Sequence, residues 1–242
     1  MIIDSHVHLK GGDYFRREFD PDATVRMLDD AGIDRACVFA MSLPSWESNA
    51  LTRRAVTGRE DRLIPYAHAL PEEGESALAE MRRAVEEWGF RGLKLHCGEV
   101  RGEVTDGHVV PFLELATGLG IPVLLDCLNR PEQAERWVSL VPEAKVIIAH
   151  LGGNTDEFMA GRFIRICRAH PNVHLDTSYL LIPWKIRDAV RECGAEKVVF
   201  GSDGAAGHYP ASLELAKVRA FDFSPAELDL ILSGNICRLL GL

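Results

Sequence analysis

Met1-Ile2-Ile3-Asp4-Ser5-His6-Val7-His8 opens the chain. The apolar start reads as a β-strand, and that strand ends in two histidines two positions apart. Side chains at i and i+2 of a strand leave the same face. His6 and His8 therefore project side by side, a placement in which two imidazoles can share one metal ion. Two unrelated polar residues at a strand end are the plainer alternative. The decision rests on whether further ligands arrive later in the chain.

Beyond this strand, short β-rich apolar runs alternate with helical patterns. The runs are 36–41, 63–70 (weakened by Pro65), 92–97, 122–127, 145–150, 173–178 and 197–203. An irregular loop is expected at Gly11-Gly12-Asp13. A helix is expected over 21–31, with Asp20 as N-cap and Gly32 as its stop. Further helices are expected over 48–58, 72–88, 108–119, 132–140, 156–170, 184–193 and 211–220. A last helix over 225–240, N-capped by Ser224, finishes the chain.

Strands alternating with helices point to parallel βαβ units. Eight strands close a barrel, and 242 residues suit the ~250 of that architecture. The expected fold is α/β, a (β/α)8 TIM barrel forming a single domain over residues 1–242. A doubly wound open sheet is the runner-up. It would want a Gly-rich phosphate loop after the first strand, and Gly11-Gly12 does not complete that fingerprint.

Hydrophobic residues make up 47% and charged residues 26% of the chain, ordinary for a globular domain with a sizeable core. A formal net charge of −9 without a basic run argues against nucleic acid and anionic membranes as partners. Cys37, Cys97, Cys127, Cys167, Cys193 and Cys237 are scattered and form no Cys-x-x-Cys pair, which excludes zinc-ribbon and thioredoxin-like readings. Free cysteines in apolar runs fit a reducing compartment. No signal peptide and no apolar run near the ~20 residues of a membrane span are recognisable, so a cytoplasmic protein is expected.

Polar residues recur at the strand ends: His8, His68, His96, Asp126, His150, Asp176 and Asp203. In a barrel these ends converge on one mouth, where the active sites of this fold lie. The strongest partners of His6 and His8 are His150, followed by Leu151-Gly152-Gly153, and Asp203, followed by Gly204. Three imidazoles and a carboxylate suit zinc or another divalent first-row ion such as manganese or iron. Such a metal lowers the pKa of water toward ~7. Asp203 could hold the metal while accepting the water's proton.

Asp4-x-His6-x-His8, Gly92-Leu-Lys-Leu-His96, Ala149-His150-Leu-Gly-Gly and Phe200-Gly-Ser-Asp203 together resemble the amidohydrolase superfamily. Ser224-Pro-x-Glu227 with Gly234-Asn235-Ile-x-Arg238-Leu-Leu resembles its closing helix. The branch it looks most like holds aminocarboxymuconate-semialdehyde decarboxylase, related aromatic-acid decarboxylases and several lactone hydrolases. The resemblance implies His6, His8, His150 and Asp203 as metal ligands. Asp203 would also be the catalytic proton acceptor, and His96 a catalytic substrate-side residue or an extra ligand. Lys94 reads as a barrel-interior lysine. In binuclear relatives a strand-four lysine is carboxylated and bridges two ions.

Decarboxylases of this branch carry a further histidine after strand seven, whereas Thr177–Trp184 has none. His174 lies near the start of its strand, and His170 sits at a helix end. The departure favours hydrolysis: one metal ion, most simply zinc, activates water on a lactone, ester or amide carbonyl of a small molecule. Non-oxidative decarboxylation of an aromatic or unsaturated acid is the alternative, and a catalytically lapsed barrel is the rival from another class. Compact loops suggest a shallow site, or one completed by a neighbouring subunit of a homo-oligomer. Trp46, Tyr179 and Trp184 could line a substrate pocket or simply pack loops. Arg130, Glu99 and Arg101 could contact substrate or form surface ion pairs.

Overall fold

The computed structural model describes residues 1–11, 20–206 and 208–242, so Gly12 and Asp13 of the expected loop lie outside the described residues. The strands are β1 (Ile3–Lys10), β2 (Arg35–Ala40), β3 (Leu63–Ala69), β4 (Gly92–His96), β5 (Val123–Asp126), β6 (Val146–Ile148), β7 (Val173–Asp176), β8 (Val198–Val199) and β9 (Gly204–Ala205). The helices are α1 (Pro21–Ala31), α2 (Ser45–Val56), α3 (Glu75–Trp88), α4 (Val110–Leu119), α5 (Pro131–Leu140), α6 (Glu157–Ala169), α7 (Trp184–Cys193), α8 (Ala211–Arg219), α9 (Pro225–Asp229) and α10 (Asn235–Leu240).

The strands run in the order β8-β7-β6-β5-β4-β3-β2-β1-β9, and every ladder between them is parallel. β8 and β9 are two ends of one segment: β8 pairs with β7, and β9 pairs with β1. Between them the Ser5 N–H donates to the Phe200 carbonyl at 3.0 Å, and the Asp203 N–H donates to the His6 carbonyl at 2.8 Å. One stretch of chain thus bonds both edges, and the sheet closes as a (β/α)8 barrel.

Residue chemistry explains the layers. Inward-facing Ile3, Cys37, Phe39, Ile64, Tyr66, Leu124, Ile147 and Val199 form one cluster, and Ile236, Leu239 and Leu240 of α10 join it. Residues of the opposite strand parity, such as Val38, Leu93, Leu95, Val123 and Leu125, pack outward against Leu28, Ala84, Phe112, Trp137 and Phe163 from the helices. This alternation buries both sheet faces, as a parallel sheet requires. Among the described residues, no helix is long and apolar enough to cross a membrane.

Helix α1 begins and ends as its sequence predicts: the Asp20 carboxylate accepts from the Asp22 and Ala23 N–H groups, and Gly32 adopts φ 68°. Helix α2 starts at Ser45, ahead of the expected residue 48. Its sheet-facing side is polar, which hides it from apolar periodicity. The Ser45 hydroxyl accepts from the Leu70 N–H at 2.8 Å, and Thr52 Oγ1 from the Ala40 N–H at 2.9 Å. The expected last helix is divided, with a π-helical turn over Leu230–Gly234 between α9 and α10. Strand six stops at Ile148 and strand eight pauses after Val199, both short of their expected ends. His150 at φ 59° and Asp203 at φ 60° leave the extended region, so neither residue belongs to a strand.

Candidate metal centre

His6 and His8 leave β1 toward the barrel axis, and Asp203 reaches them from the turn between β8 and β9. His8 Nε2 lies 2.8 Å from Asp203 Oδ1. His6 Nε2 lies 3.1 Å from the same oxygen and 3.3 Å from His8 Nε2. Three donor atoms meet here, and bonds of ~2.0–2.1 Å to a tetrahedral ion would put neighbouring donors roughly 3.3 Å apart. The three side chains are buried or nearly so, with Asp203 the most open at 17%.

The tautomer of His6 is set from behind. Its Nδ1 lies 2.8 Å from Asp176 Oδ2, a contact that puts the ring proton on Nδ1 and turns the Nε2 lone pair toward the cluster. Asp176 is itself fixed: its Oδ1 accepts from the His150 N–H (2.7 Å), the Ser178 N–H (3.0 Å) and the Ser178 hydroxyl (2.6 Å). Burial lowers the His8 pKa to about 4 against the opposing pull of Asp203, so that imidazole is neutral and able to ligate. Burial alone would raise the Asp203 carboxyl, but the facing imidazoles of His8 and His6 hold it well below its usual range. The chemistry of the donor set, two neutral nitrogens and one carboxylate oxygen, therefore fits a divalent cation.

His150 belongs to a second potential donor group, with His6 and Asp176. Its Nδ1 lies 2.9 Å from Ser178 Oγ and 3.0 Å from the Ser178 carbonyl. Its Nε2 faces Asp126 Oδ2 at 3.4 Å, and His96 Nε2 approaches the same oxygen at 3.2 Å. Asp126 thus bridges the two histidines, a link between β4, β5 and the turn after β6 that spacing alone does not reveal. Burial pulls the His150 pKa down, yet the hydrogen bond its ring donates to Asp126 and the charges of Asp203, Asp126 and Asp176 carry it up to about 10.

Lys94 is 1% exposed, and its Nζ stands 3.0 Å from His6 Nε2 and 5.0 Å from the Phe39 ring. The interior lysine expected from the sequence therefore reaches the His6–His8–Asp203 cluster from below. His68, also fully buried, meets Glu99 Oε2 at 2.6 Å, and Glu99 Oε1 accepts from the Ser42 N–H. Glu99 is thus an internal partner of β3. Arg130 donates to the carbonyls of Cys127 (3.3 Å) and Leu128 (3.4 Å) and so braces its own loop. His174 sits 7% exposed near the start of β7, and His170 caps α6.

A cavity of about 240 Å3 opens above the cluster, lined by Asp126, Leu128, Asn129, His150, Tyr179 and Asp203 among others. Trp46 and Trp184 do not line it. Seven non-glycine residues among those described have positive φ: Ser42, Leu128, Asn129, His150, Leu151, Tyr179 and Asp203. All seven follow the C-terminal ends of β2, β5, β6, β7 or β8. Each costs on the order of 1 kcal/mol relative to an ordinary conformation. Strain gathered at one end of the barrel marks that end as the functional one. Gly152 (φ 72°) completes the His150 turn, where a Cβ would come within 2.1 Å of the Phe163 ring.

The parallel barrel and the histidine–aspartate cluster at its C-terminal mouth define an enzyme of the (β/α)8 class. Residues 3–242 match the family model for amidohydrolases, and the chain belongs to that family. No curated protein matches it. Among solved structures, an uncharacterised TIM-barrel protein of Bordetella bronchiseptica shares 20% identity at a TM-score of 0.79, covering 99% of this chain and 98% of its own. A dihydroxybenzoic acid decarboxylase of a Polaromonas species, with bound manganese and an inhibitor, shares 19% identity at 0.76 over 100% of this chain and 97% of its own. A probable 2-pyrone-4,6-dicarboxylic acid hydrolase of Acinetobacter baumannii shares 17% identity at 0.73 over 100% and 99%. At such identities the likeness establishes the fold.

Proposed function

We propose that this amidohydrolase is a hydrolase that opens a lactone, ester or amide carbonyl of a small molecule with the help of one divalent ion. The observation that carries the reading is the convergence of His6 Nε2, His8 Nε2 and Asp203 Oδ1 within 3.3 Å at the edge of an open cavity. These three residues would hold the ion, zinc first by ligand type, with manganese and iron as alternatives. His150 would complete the set by turning its Nε2 from Asp126. A divalent ion in this cradle supplies Lewis acidity, which brings water toward deprotonation near neutral pH and polarises a carbonyl.

The chain's own groups would do the rest. Asp203, ionised at neutral pH, accepts the proton of the attacking water and returns it to the leaving group. Asp176 keeps the His6 lone pair aimed at the cradle. His96, 22% exposed and held by Asp126, orients the substrate at the β4 end of the mouth. The Lys94 ammonium beside His6 adds positive potential beneath the cluster.

Decarboxylation is the second reading, since a Polaromonas relative of the same fold is a decarboxylase. The absence of histidine from Thr177–Trp184 supports hydrolysis over it. Metal analysis of protein purified without added metal comes first: a stoichiometric divalent ion is expected, and its absence would favour a lapsed barrel. The metal-loaded protein is then offered lactones and hydroxybenzoates in parallel. Ring opening without carbon dioxide release is the expected outcome; carbon dioxide release from the acids alone would overturn the hydrolase reading.

A further inference from the structure

Leu128 and Tyr179 line the same mouth cavity from different loops. Leu128 follows β5 and Tyr179 follows β7, so they flank the His150 turn that follows β6 between them. Both are bulky residues in the left-handed region, at φ 47° and φ 48°. L-residues with large side chains avoid that conformation. Both also stay uncovered, at 42% and 37% exposure. The fold therefore bears strain at two positions and buries little apolar surface in return.

Neither side chain is loose. Leu128 stands over Gly98: a Cβ on Gly98 would lie 2.8 Å from Leu128 Cδ1 and 2.6 Å from His96 Cε1, so only glycine there admits the leucine beside His96. Its backbone is tied by the Leu128 N–H to Asp126 Oδ1 at 3.0 Å and by Arg130. The Tyr179 ring meets Tyr209 edge-on at 5.0 Å and His150 at 6.5 Å. Tyr209 donates its hydroxyl to buried Glu214, and Lys217 donates to Glu214 and to the Leu180 carbonyl. Two apolar surfaces are thus held rigidly, open to solvent and adjacent to the ligand cluster.

We infer that Leu128 and Tyr179 are specificity-determining residues that grip a flat ring of the substrate over the His150 turn. A branched aliphatic face and an aromatic face suit the two sides of a planar ring, whereas a puckered ring meets them poorly. The cavity volume of about 240 Å3 lies below the ~300 Å3 at which drug-sized ligand sites begin, so a single ring is the unit it takes. Asn129 at the cavity wall offers hydrogen bonds to ring substituents. The inference rests on the hydrolase reading for the reaction that follows, but not for the grip itself.

The test compares 2-pyrone, a flat six-membered lactone, with δ-valerolactone, its saturated counterpart. Binding to the metal-loaded protein is measured by calorimetry or ligand-detected NMR, and hydrolysis by product formation. The variants are Leu128→Gly, Tyr179→Gly and Tyr179→Phe. Glycine suits both left-handed positions, so folding is preserved. Expected is a preference of about tenfold for the flat ring, lost in each glycine variant and kept in Tyr179→Phe. Equal binding of the two lactones, a preference that survives both glycine variants, or no binding of either lactone overturns the clamp. Ring-selective binding without hydrolysis of either lactone would refute the hydrolase reading and leave the clamp standing.

Discussion

Replacing Asp176 by asparagine changes one atom of a carboxylate that sits outside the three-residue cradle, yet metal affinity should fall. Asp176 Oδ1 accepts three hydrogen bonds, from the His150 N–H, the Ser178 N–H and the Ser178 hydroxyl. An asparagine must keep its carbonyl oxygen there, so its NH2 takes the place of Oδ2, 2.8 Å from His6 Nδ1. Two donors cannot face each other. The imidazole must present a bare Nδ1 and move its proton to Nε2, where Asp203 Oδ1 at 3.1 Å accepts it and Lys94 Nζ, 3.0 Å away, must turn aside. That nitrogen then has no lone pair for a metal. Loss of such a partner behind a ligand costs roughly 10- to 100-fold in affinity, or about 1.4 to 2.7 kcal/mol. Calorimetric titration of the metal-free protein with zinc or manganese measures the loss, and 15N NMR of the imidazole reports the tautomer. An Asp176→Asn protein that binds metal as tightly as the parent, with the His6 proton still on Nδ1, would refute the reasoning.

Other outcomes follow from the same geometry. Asp203→Asn should abolish turnover while much of the metal stays bound, because His6 and His8 remain; full activity would remove Asp203 from the reaction. Gly152→Ala should destabilise the fold by about 2 to 4 kcal/mol in urea denaturation, through overpacking and a left-handed non-glycine residue. An unchanged midpoint would mean that Phe163, whose ring is 2.1 Å from the added carbon, moves aside freely. Burial raises the Asp4 carboxyl from 3.8 to about 7, so the fold favours the neutral acid. Its contribution is complete at low pH and is lost as pH rises through about 7, up to about 4 kcal/mol in all. The metal-free Asp4→Asn variant should therefore gain stability over the parent as pH rises from 5 to 8; a constant difference would refute this.

The sequence read well wherever side-chain period and cap chemistry decide the structure. Asp20, Gly32 and Ser224 marked helix ends correctly because each acts through its own side chain or its own φ. His6 and His8 announced a shared face because a strand admits no other arrangement. The strand ends were less legible. Apolar runs continue through Ala149 and Phe200, but the backbone turns at His150 and Asp203, and nothing in a histidine or aspartate requires φ near 60°. Partners behind the site were equally hidden. Asp176 read as one more polar strand end, and only the barrel brings it to His6. Glu99, ambiguous as a surface ion pair, turns inward because His68 waits for it 31 positions upstream. Asp126 acquires its bridging position only when β4, β5 and β6 lie in register.

The paused strand that carries Asp203 also imposes an order in time. The Phe200 N–H finds its acceptor at the Ile231 carbonyl, 2.8 Å away, and the Asn235 amide holds the carbonyls of Ala195 and Val198 at 2.7 and 2.8 Å. The segment that joins β7 to β1 is thus secured by residues made some thirty positions later. A chain leaving the ribosome can assemble the earlier βα units as they appear, but its seam stays unlatched until Asn235 has emerged. Asp203 lies on that seam, so His6 and His8, made long before it, receive their carboxylate only once Asn235 has emerged.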